Sequence, residues 1–407
     1  MSNKKKILIL TREYSSKTRR NDRWTMIVSQ FAKEWAKEND IIVVINSVRF
    51  PAFYYYLMGF AKTIVAKIYG KDASLLKDRS WEKTFDFTDG DIKVYNLPKM
   101  KLYPHAKLFK WQLKKQAEQI EEILDNNHFT PDIIDAHWIN PQLDLLLLLK
   151  VKYVGAKTTL VVHTEAIKKA YYTKEIRKGL RMLDHVGCRS RVGAESLFTG
   201  IGLNEKPFVC ASGIPDEYFD VTANNKYINF MMPTISTVSR LLNWKCLDST
   251  IKGVSEAFAG VDYHYNIYGE GSERDYLEHV IRSRGLTERV HLRGKVSRDE
   301  VINQMQKTDI FVMISKHETF GLVYLEAMAQ GCITIGSQNG GIDGIIVDGE
   351  NGFLCPEGDG KALSDLLRKI KGMSAEELQR ISQNAKATAR EYTDSKVAAR
   401  YFAEISK

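Results

Sequence analysis

The 407-residue sequence has no apolar run long enough to cross a bilayer: its longest purely apolar stretches, such as Leu145 to Leu149, fall far short of the roughly 20 residues a spanning helix needs. Cysteine is scarce. The five present, Cys188, Cys210, Cys246, Cys332 and Cys355, are widely scattered, with no C-x-x-C pair and no zinc-like spacing. That argues against a disulfide framework and fits a reducing cytoplasm. With only 9 Pro and 27 Gly and 44% apolar residues, collagen-like and disordered classes are excluded, and the chain can bury a large core, expected as two domains. Met1 to Thr11 puts three lysines before a short apolar stretch, Ile7 to Leu10, with no small-residue cleavage site, so a first β-strand is expected there rather than a signal peptide. No RRM-like, KH-like or zinc-finger pattern occurs, and nucleic acid is not an expected partner.

Acidic residues are short in one half only. Residues 1 to 220 hold 36 Lys+Arg against 26 Asp+Glu, whereas residues 221 to 407 hold 23 against 24. The first half is therefore the one expected to meet an anion.

Strand-like and helix-like segments alternate through both halves. In the first, Lys6 to Thr11 leads into Trp24 to Lys37, then Ile41 to Asn46, Phe109 to Leu124, Ile133 to Ala136 and Thr158 to His163. After the turn Ser212-Gly213-Ile214-Pro215 and the polar stretch Thr222 to Lys226, the rhythm restarts with Thr234 to Val238, Tyr265 to Tyr268, Val290 to Leu292, Ile310 to Ile314 and Ile333 to Gly336. This alternation predicts α/β architecture with parallel, doubly wound sheets. Glu376 to Lys407, rich in Ala, Glu, Lys and Arg, reads as helical.

The segment most informative about chemistry is Ile310 to Gly331. A strand runs into Ser315-Lys-His-Glu318-Thr-Phe320-Gly321 and then into a helix predicted over Leu322 to Gln330, stopped at Gly331. A helix opening at a glycine presents unpaired backbone N–H groups and the positive end of its dipole, so Gly321, Leu322 and Val323 suit a phosphate. Glu318 and Glu326 would repel that phosphate unless they face something else. Sugar hydroxyls, which donate hydrogen bonds to carboxylates, are the natural partners. A ligand with phosphates and sugars together is expected.

The spacing Glu318-Thr-Phe-Gly-Leu-Val-Tyr-Leu-Glu326, inside S-x-x-E-x-F-G-L-x-x-L-E-A-M-A, resembles the E-x7-E signature of the GT-B retaining glycosyltransferases of family 4. Other ordered matches accompany it. Val238-Ser-Arg240-Leu-x3-Lys245 looks like the family's diphosphate-binding Arg and Lys, Tyr268-Gly269-Glu-Gly271 like its Gly-x-Gly turn, and Val290-His-Leu292-Arg293-Gly294 like its base-recognition loop. Gly340-Gly341-Ile-Asp343 and Asp348-Gly-Glu-Asn-Gly352 match the next loop and turn, with Asp343 where a Glu is usual. Pro131-Asp-Ile-Ile-Asp-Ala-His137 and Val161-Val-His163-Thr-Glu165 resemble its two His-bearing strand ends.

The resemblance implies two Rossmann-like domains facing across a cleft: residues 1–220 for the acceptor, 221–385 for the nucleotide-sugar, and a C-terminal helix, 386–407, returning to the first. It implies transfer of a sugar from a nucleoside-diphosphate sugar with retention, through front-face attack in which the departing phosphate oxygen takes the acceptor's proton. Arg240 and Lys245 would stabilise the leaving diphosphate, Glu318 would position the donor sugar, and Glu326 would hold the nucleotide ribose. His163 would contact the donor sugar or phosphate. Gly269, Leu292, Arg293, Phe320, Gly321, Leu322 and Val323 complete the implied donor site. No metal and no other cofactor is expected, and UDP is the favoured nucleotide.

After the first strand the sequence departs from the family. Where a Gly-Gly loop is common it has, after Arg12, three arginines and a lysine (Lys17, Arg19, Arg20 and Arg23) suited to an anionic acceptor such as a polyprenyl-diphosphate-linked glycan; His137 is the other acceptor candidate, although beside Trp138 it reads foremost as structural. Phe53, Leu57, Phe60, Ile64 and Ile68 align on one helical stripe flanked by tyrosines and lysines, which serves either peripheral contact with an anionic membrane or packing on its own domain. Asp89-Gly-Asp91 spells D-x-D, a metal motif of another glycosyltransferase architecture, but is foremost a turn. Surface polysaccharide assembly at the inner face of a cell membrane is the expected setting. A sugar-nucleotide epimerase or phosphorylase on the same architecture, or a non-catalytic partner subunit, are the alternatives.

Overall fold

The computed structural model describes residues 4–15, 26–49, 83–101, 108–163, 172–203, 205–219, 228 and 231–407. Arg19, Arg20, Arg23 and the aromatic stretch 50–70 lie outside the described residues. The chain divides into two compact α/β units. One comprises Met1–Cys188, Leu197–Phe208 and Ala398–Lys407; the other comprises Arg189–Ser196 and Val209–Val397.

The first unit is built on an eight-stranded sheet. Its parallel centre joins β1 (Lys6–Thr11), β2 (Asp40–Ile45), β7 (Ile133–His137), β8 (Lys157–Val162) and β9 (His185–Cys188), in the full order β10-β9-β8-β7-β1-β2-β5-β4, where β10 is Phe208–Val209. Ile7 to Leu10 and Val43 to Ile45 are fully buried, as expected of strands covered on both faces by crossover helices. One edge is different. β4 (Phe85–Asp89) and β5 (Ile92–Asn96) pair antiparallel through the Asp89-Gly90 turn, and their side chains alternate between buried and exposed because one face meets water. Asp89 is thereby engaged structurally, accepting from the Tyr14 hydroxyl at 3.0 Å and facing Lys33 at 3.2 Å. A short separate pair joins β3 (Val48–Arg49) to β6 (Lys99–Met100). Along the chain, α1 (Ile27–Ala36) packs Phe31 and Trp35 inward. The last residues lie with this unit: the Trp35 indole donates to the Ala398 carbonyl at 2.9 Å, and Tyr401 sits against Phe31, Trp35 and Phe208.

The second unit holds a six-stranded, wholly parallel sheet in the order β13-β12-β11-β14-β15-β16. These strands are β11 (Thr234–Val238), β12 (His264–Tyr268), β13 (Val290–Gly294), β14 (Ile310–Val312), β15 (Ile333–Ser337) and β16 (Phe353–Cys355). Successive strands build outward from β11 in one direction and from β14 in the other. The strand order therefore reverses between β11 and β14, and a crevice opens at their carboxyl ends in folds of this kind.

Candidate functional site

The loops leaving the carboxyl ends of this second sheet carry most of the residues singled out from the sequence. After β11, the chain runs through Ser239, exposed Arg240 and buried Leu241 into a short 3-10 turn, Asn243–Lys245. After β14 it runs through Ser315 to Gly321. The two loops meet across the point of reversal. The Lys316 amide donates to the Trp244 carbonyl at 2.8 Å, and the Lys245 ammonium pairs with the Glu318 carboxylate, both groups mostly buried.

The loop carrying Arg240 is laced to the turn after β12: Ser239 N–H donates to Tyr268 O at 3.0 Å and Leu241 N–H to Glu270 O at 3.0 Å. Gly269 is required for this approach. Its φ is +139°, and a β-carbon there would sit 1.8 Å from the Ser239 carbonyl oxygen. Gly269 shapes the loop that presents Arg240.

The helix α9 spans Leu322–Ala329 and opens on Gly321, whose left-handed φ of +79° serves as a cap with no side-chain acceptor. The Leu322 and Val323 amides have no acceptor inside the helix. Glu326, one turn on, is wholly buried. The Arg298 guanidinium, from the start of α8 (Arg298–Lys307), closes on its Oε1, and neither carboxylate oxygen has a partner of good hydrogen-bond geometry among the described residues. Nothing in the sequence pointed to Arg298. It stands at the first helical position after the Ser297 cap, and only the packing of α8 against α9 carries it to Glu326.

Three other residues of the implied donor site are placed as follows. Phe320 is 5% exposed and belongs to the hydrophobic core under α9, with the buried Arg189 guanidinium 5.7 Å from its ring centre. Its ring anchors the loop to that core. Leu292 and Arg293 belong to β13, not to a free loop. Leu292 packs on the core and the exposed Arg293 donates through Nε to Asn266 at 2.7 Å. Asp343 clamps its own loop, accepting from the Asn339 amide at 2.7 Å and from Arg191 at 2.8 Å.

The first unit brings together two histidines from adjacent strand ends. His137 ends β7, and His163 follows β8 directly. His137 Nδ1 lies 3.2 Å from His163 Nε2, and His137 Nε2 lies 3.2 Å from Asp135 Oδ2. Tyr401 donates to the other Asp135 oxygen at 2.5 Å. Trp138 stacks on His163 at 4.0 Å. Neither Asp135 nor Tyr401 stood out from the sequence, since their contact spans 266 residues.

Among the described residues no cluster of His, Cys, Asp or Glu has the makings of a metal site, and no helix is long and apolar enough to cross a membrane. All five cysteines are buried and unbridged.

Residues 224–388 match the family model described as glycosyl transferases group 1. The chain is 31% identical over 143 residues to an N-acetyl-alpha-D-glucosaminyl L-malate synthase of Bacillus anthracis, an alignment covering 35% of this chain and 36% of that one. It is 23% identical over 365 residues to an uncharacterized glycosyltransferase of Methanocaldococcus jannaschii, covering 86% and 95%. Among solved structures, a lipopolysaccharide outer core galactosyltransferase aligns with a TM-score of 0.68 at 17% identity, covering 98% of this chain and 99% of that one. An Anabaena protein in complex with UDP and glucose aligns at 0.63 and 15%, covering 98% and 99%. The fold is therefore that of the GT-B glycosyltransferases, and the sheet bearing Arg240, Lys245, Glu318 and Glu326 lies in the part of the chain that matches the group 1 glycosyl transferases.

Proposed function

We propose that the protein transfers a sugar, with retention at the anomeric carbon, from a nucleoside-diphosphate sugar to a glycan or lipid-linked glycan acceptor in surface polysaccharide assembly. The observation that carries this is the pairing of two carboxylates with two cations around the opening of α9. Lys245 meets Glu318 and Arg298 meets Glu326, beside the first-turn amides of Leu322 and Val323.

In this reading the first-turn amides and the dipole of α9 take the diphosphate, and Arg240 and Lys245 stabilise the charge that grows on it as the glycosidic bond breaks. Lys245 then exchanges Glu318 for a phosphate oxygen, releasing the carboxylate to accept from a sugar hydroxyl. The Glu326 oxygens, buried and poorly satisfied, accept from the nucleotide ribose. These side chains and amides neutralise the leaving group by themselves, so the reading assigns no metal. UDP is the favoured nucleotide, in keeping with the UDP-bound neighbour. The basic first half supports an anionic acceptor, for which Arg19, Arg20 and Arg23 are the proposed grip.

The test is incubation of the protein with UDP-sugars alone, followed by NMR of the products. A transferase releases UDP slowly, with the sugar first appearing as the anomer of the donor. Conversion of the nucleotide-sugar into its epimer would refute the reading in favour of an epimerase.

A further inference from the structure

The ladder that joins β2 to β5 runs on into the short pair β3 and β6, beyond the carboxyl edge of the first sheet. Leu97 N–H donates to Ile45 O at 2.8 Å, Lys99 N–H to Ser47 O at 2.9 Å and Lys101 N–H to Arg49 O at 3.0 Å. Side chains alternate along such a segment, and here the alternation is inverted. Met100 is 44% exposed, whereas Lys99 and Lys101 on the opposite face are 6% and 8% exposed. Burying two amines while the thioether between them meets water is costly unless something answers the amines. The fold does not. Lys99 Nζ is buried with no hydrogen-bond partner, and no ion pair engages Lys101 or Arg12 among the described residues. The three groups are close enough to act on one another. Burial and then the Lys101 charge hold Lys99 well below the usual lysine range, and burial and then Arg12 bring Lys101 down to about 8. Asp144, exposed on the helix Gln142–Lys152, opposes this at Lys99 only weakly and without a hydrogen bond to Nζ.

Arg12 follows β1 directly, and Asn46 follows β2, the strand between β1 and β5. Asn46 Oδ1 accepts from Gln116 at 2.7 Å, which leaves its Nδ2 as a second buried donor without a partner. Donors lacking an acceptor thus gather at the carboxyl ends of β1, β2 and β5, the edge where ligands bind in open α/β sheets. A phosphate monoester brings about two charges on three acceptor oxygens, more than a single carboxylate can offer to three cations. We propose that Arg12, Lys99 and Lys101, with Asn46 between the strands that carry them, form a phosphate-binding site lying wholly within the first unit. That the phosphate belongs to the acceptor rests on the function proposed above; the site itself does not.

The experiment titrates the full-length chain with inorganic phosphate in a calorimeter, alongside Lys99→Met, Lys101→Met and Lys245→Met. The expected result is saturable binding that Lys245→Met keeps and that each of the other two weakens roughly tenfold or more, the effect of losing one charge-assisted hydrogen bond. Binding lost only in Lys245→Met would place the phosphate at the opening of α9 and overturn the proposal, as would no saturable binding. Lys99→Met and Lys101→Met each remove an unanswered buried amine, so neither should lower the melting temperature. A fall of more than about 5 °C would show that the fold itself uses the lysine, and would also overturn it. One readout needs no variant: phosphate should slow acetylation of Lys101 in the wild-type chain, and a rate unchanged at saturating phosphate counts against the site. Competition then identifies the source. Displacement by glucose 1-phosphate marks a soluble ester, displacement only by phosphatidylcholine vesicles carrying a polyprenyl phosphate marks a lipid-linked one, and displacement by neither overturns a phosphate ester as the ligand. A chain that binds phosphate here but no nucleotide would sink the proposed function and leave this site standing.

Discussion

Replacing Arg298 by alanine tests what holds Glu326 in place. The carboxylate is wholly buried, and the Arg298 guanidinium is its charged partner, itself about half exposed at 51%. Removing one partner of a fully buried pair costs about 3 to 5 kcal/mol, because a charge is left uncompensated. Since water already screens half of Arg298, the expected loss for Arg298→Ala is smaller, about 2 kcal/mol. Glu326→Gln removes the buried charge instead and lets the arginine hydrate, so its cost should stay within about 1 kcal/mol. The double variant should then be more stable than Arg298→Ala alone, with a coupling of about 1 to 2 kcal/mol. Urea unfolding of the four proteins measures this, as midpoints compared at unchanged slope. A change within about 0.5 kcal/mol for Arg298→Ala, the range of an ordinary surface substitution, would refute the reasoning.

Three further outcomes are expected. Gly269→Ala forces a β-carbon against the Ser239 carbonyl at a φ that L-residues avoid, so it should cost about 3 kcal/mol and weaken nucleotide binding by displacing Arg240; unchanged stability and binding would show that the loop yields freely. Lys245→Met should lose nucleoside-diphosphate affinity while affecting binding of the free nucleoside little, read by titration calorimetry; equal losses for both would remove Lys245 from the phosphate site. Lys101 is pushed down from 10.5 to about 8, first by burial and then by Arg12. Above that value the folded chain has shed a proton that the unfolded chain still binds, so stability should rise from about pH 8 to pH 9.5, and Lys101→Met should flatten the rise. Identical pH profiles for the two proteins would contradict this.

What could be read from the sequence was what repeats locally. The apolar stretches of β1, β7, β8, β11 and β14 declared parallel strands, and Gly321 before an apolar helix declared the opening of α9. Lys245 and Glu318 were legible as separate motif residues. Their contact was not, because it depends on the strand order reversing between β11 and β14, which no spacing along the chain encodes. The same holds for Arg298 against Glu326 and for Tyr401 against Asp135, partners brought together only by packing. The burial of Phe320 in the core under α9 was likewise not readable from its motif position. The Asp89-Gly90 turn was visible, and the alternation of Phe85-Asp-Phe87 and Ile92-Lys-Val94 on either side of it carried a hairpin signal that went unused.

The central claim, a nucleotide-sugar site at the opening of α9, is tested most directly by thermal shift against UDP, GDP, ADP, CMP and dTDP and their common sugars, with Lys245→Ala and Glu326→Ala alongside. A ligand that binds only the folded protein raises its melting temperature, by an amount set by concentration over Kd. The account predicts a rise with one nucleotide, UDP foremost, that both substitutions abolish. A rise that survives both substitutions, or none with any nucleotide, would contradict it.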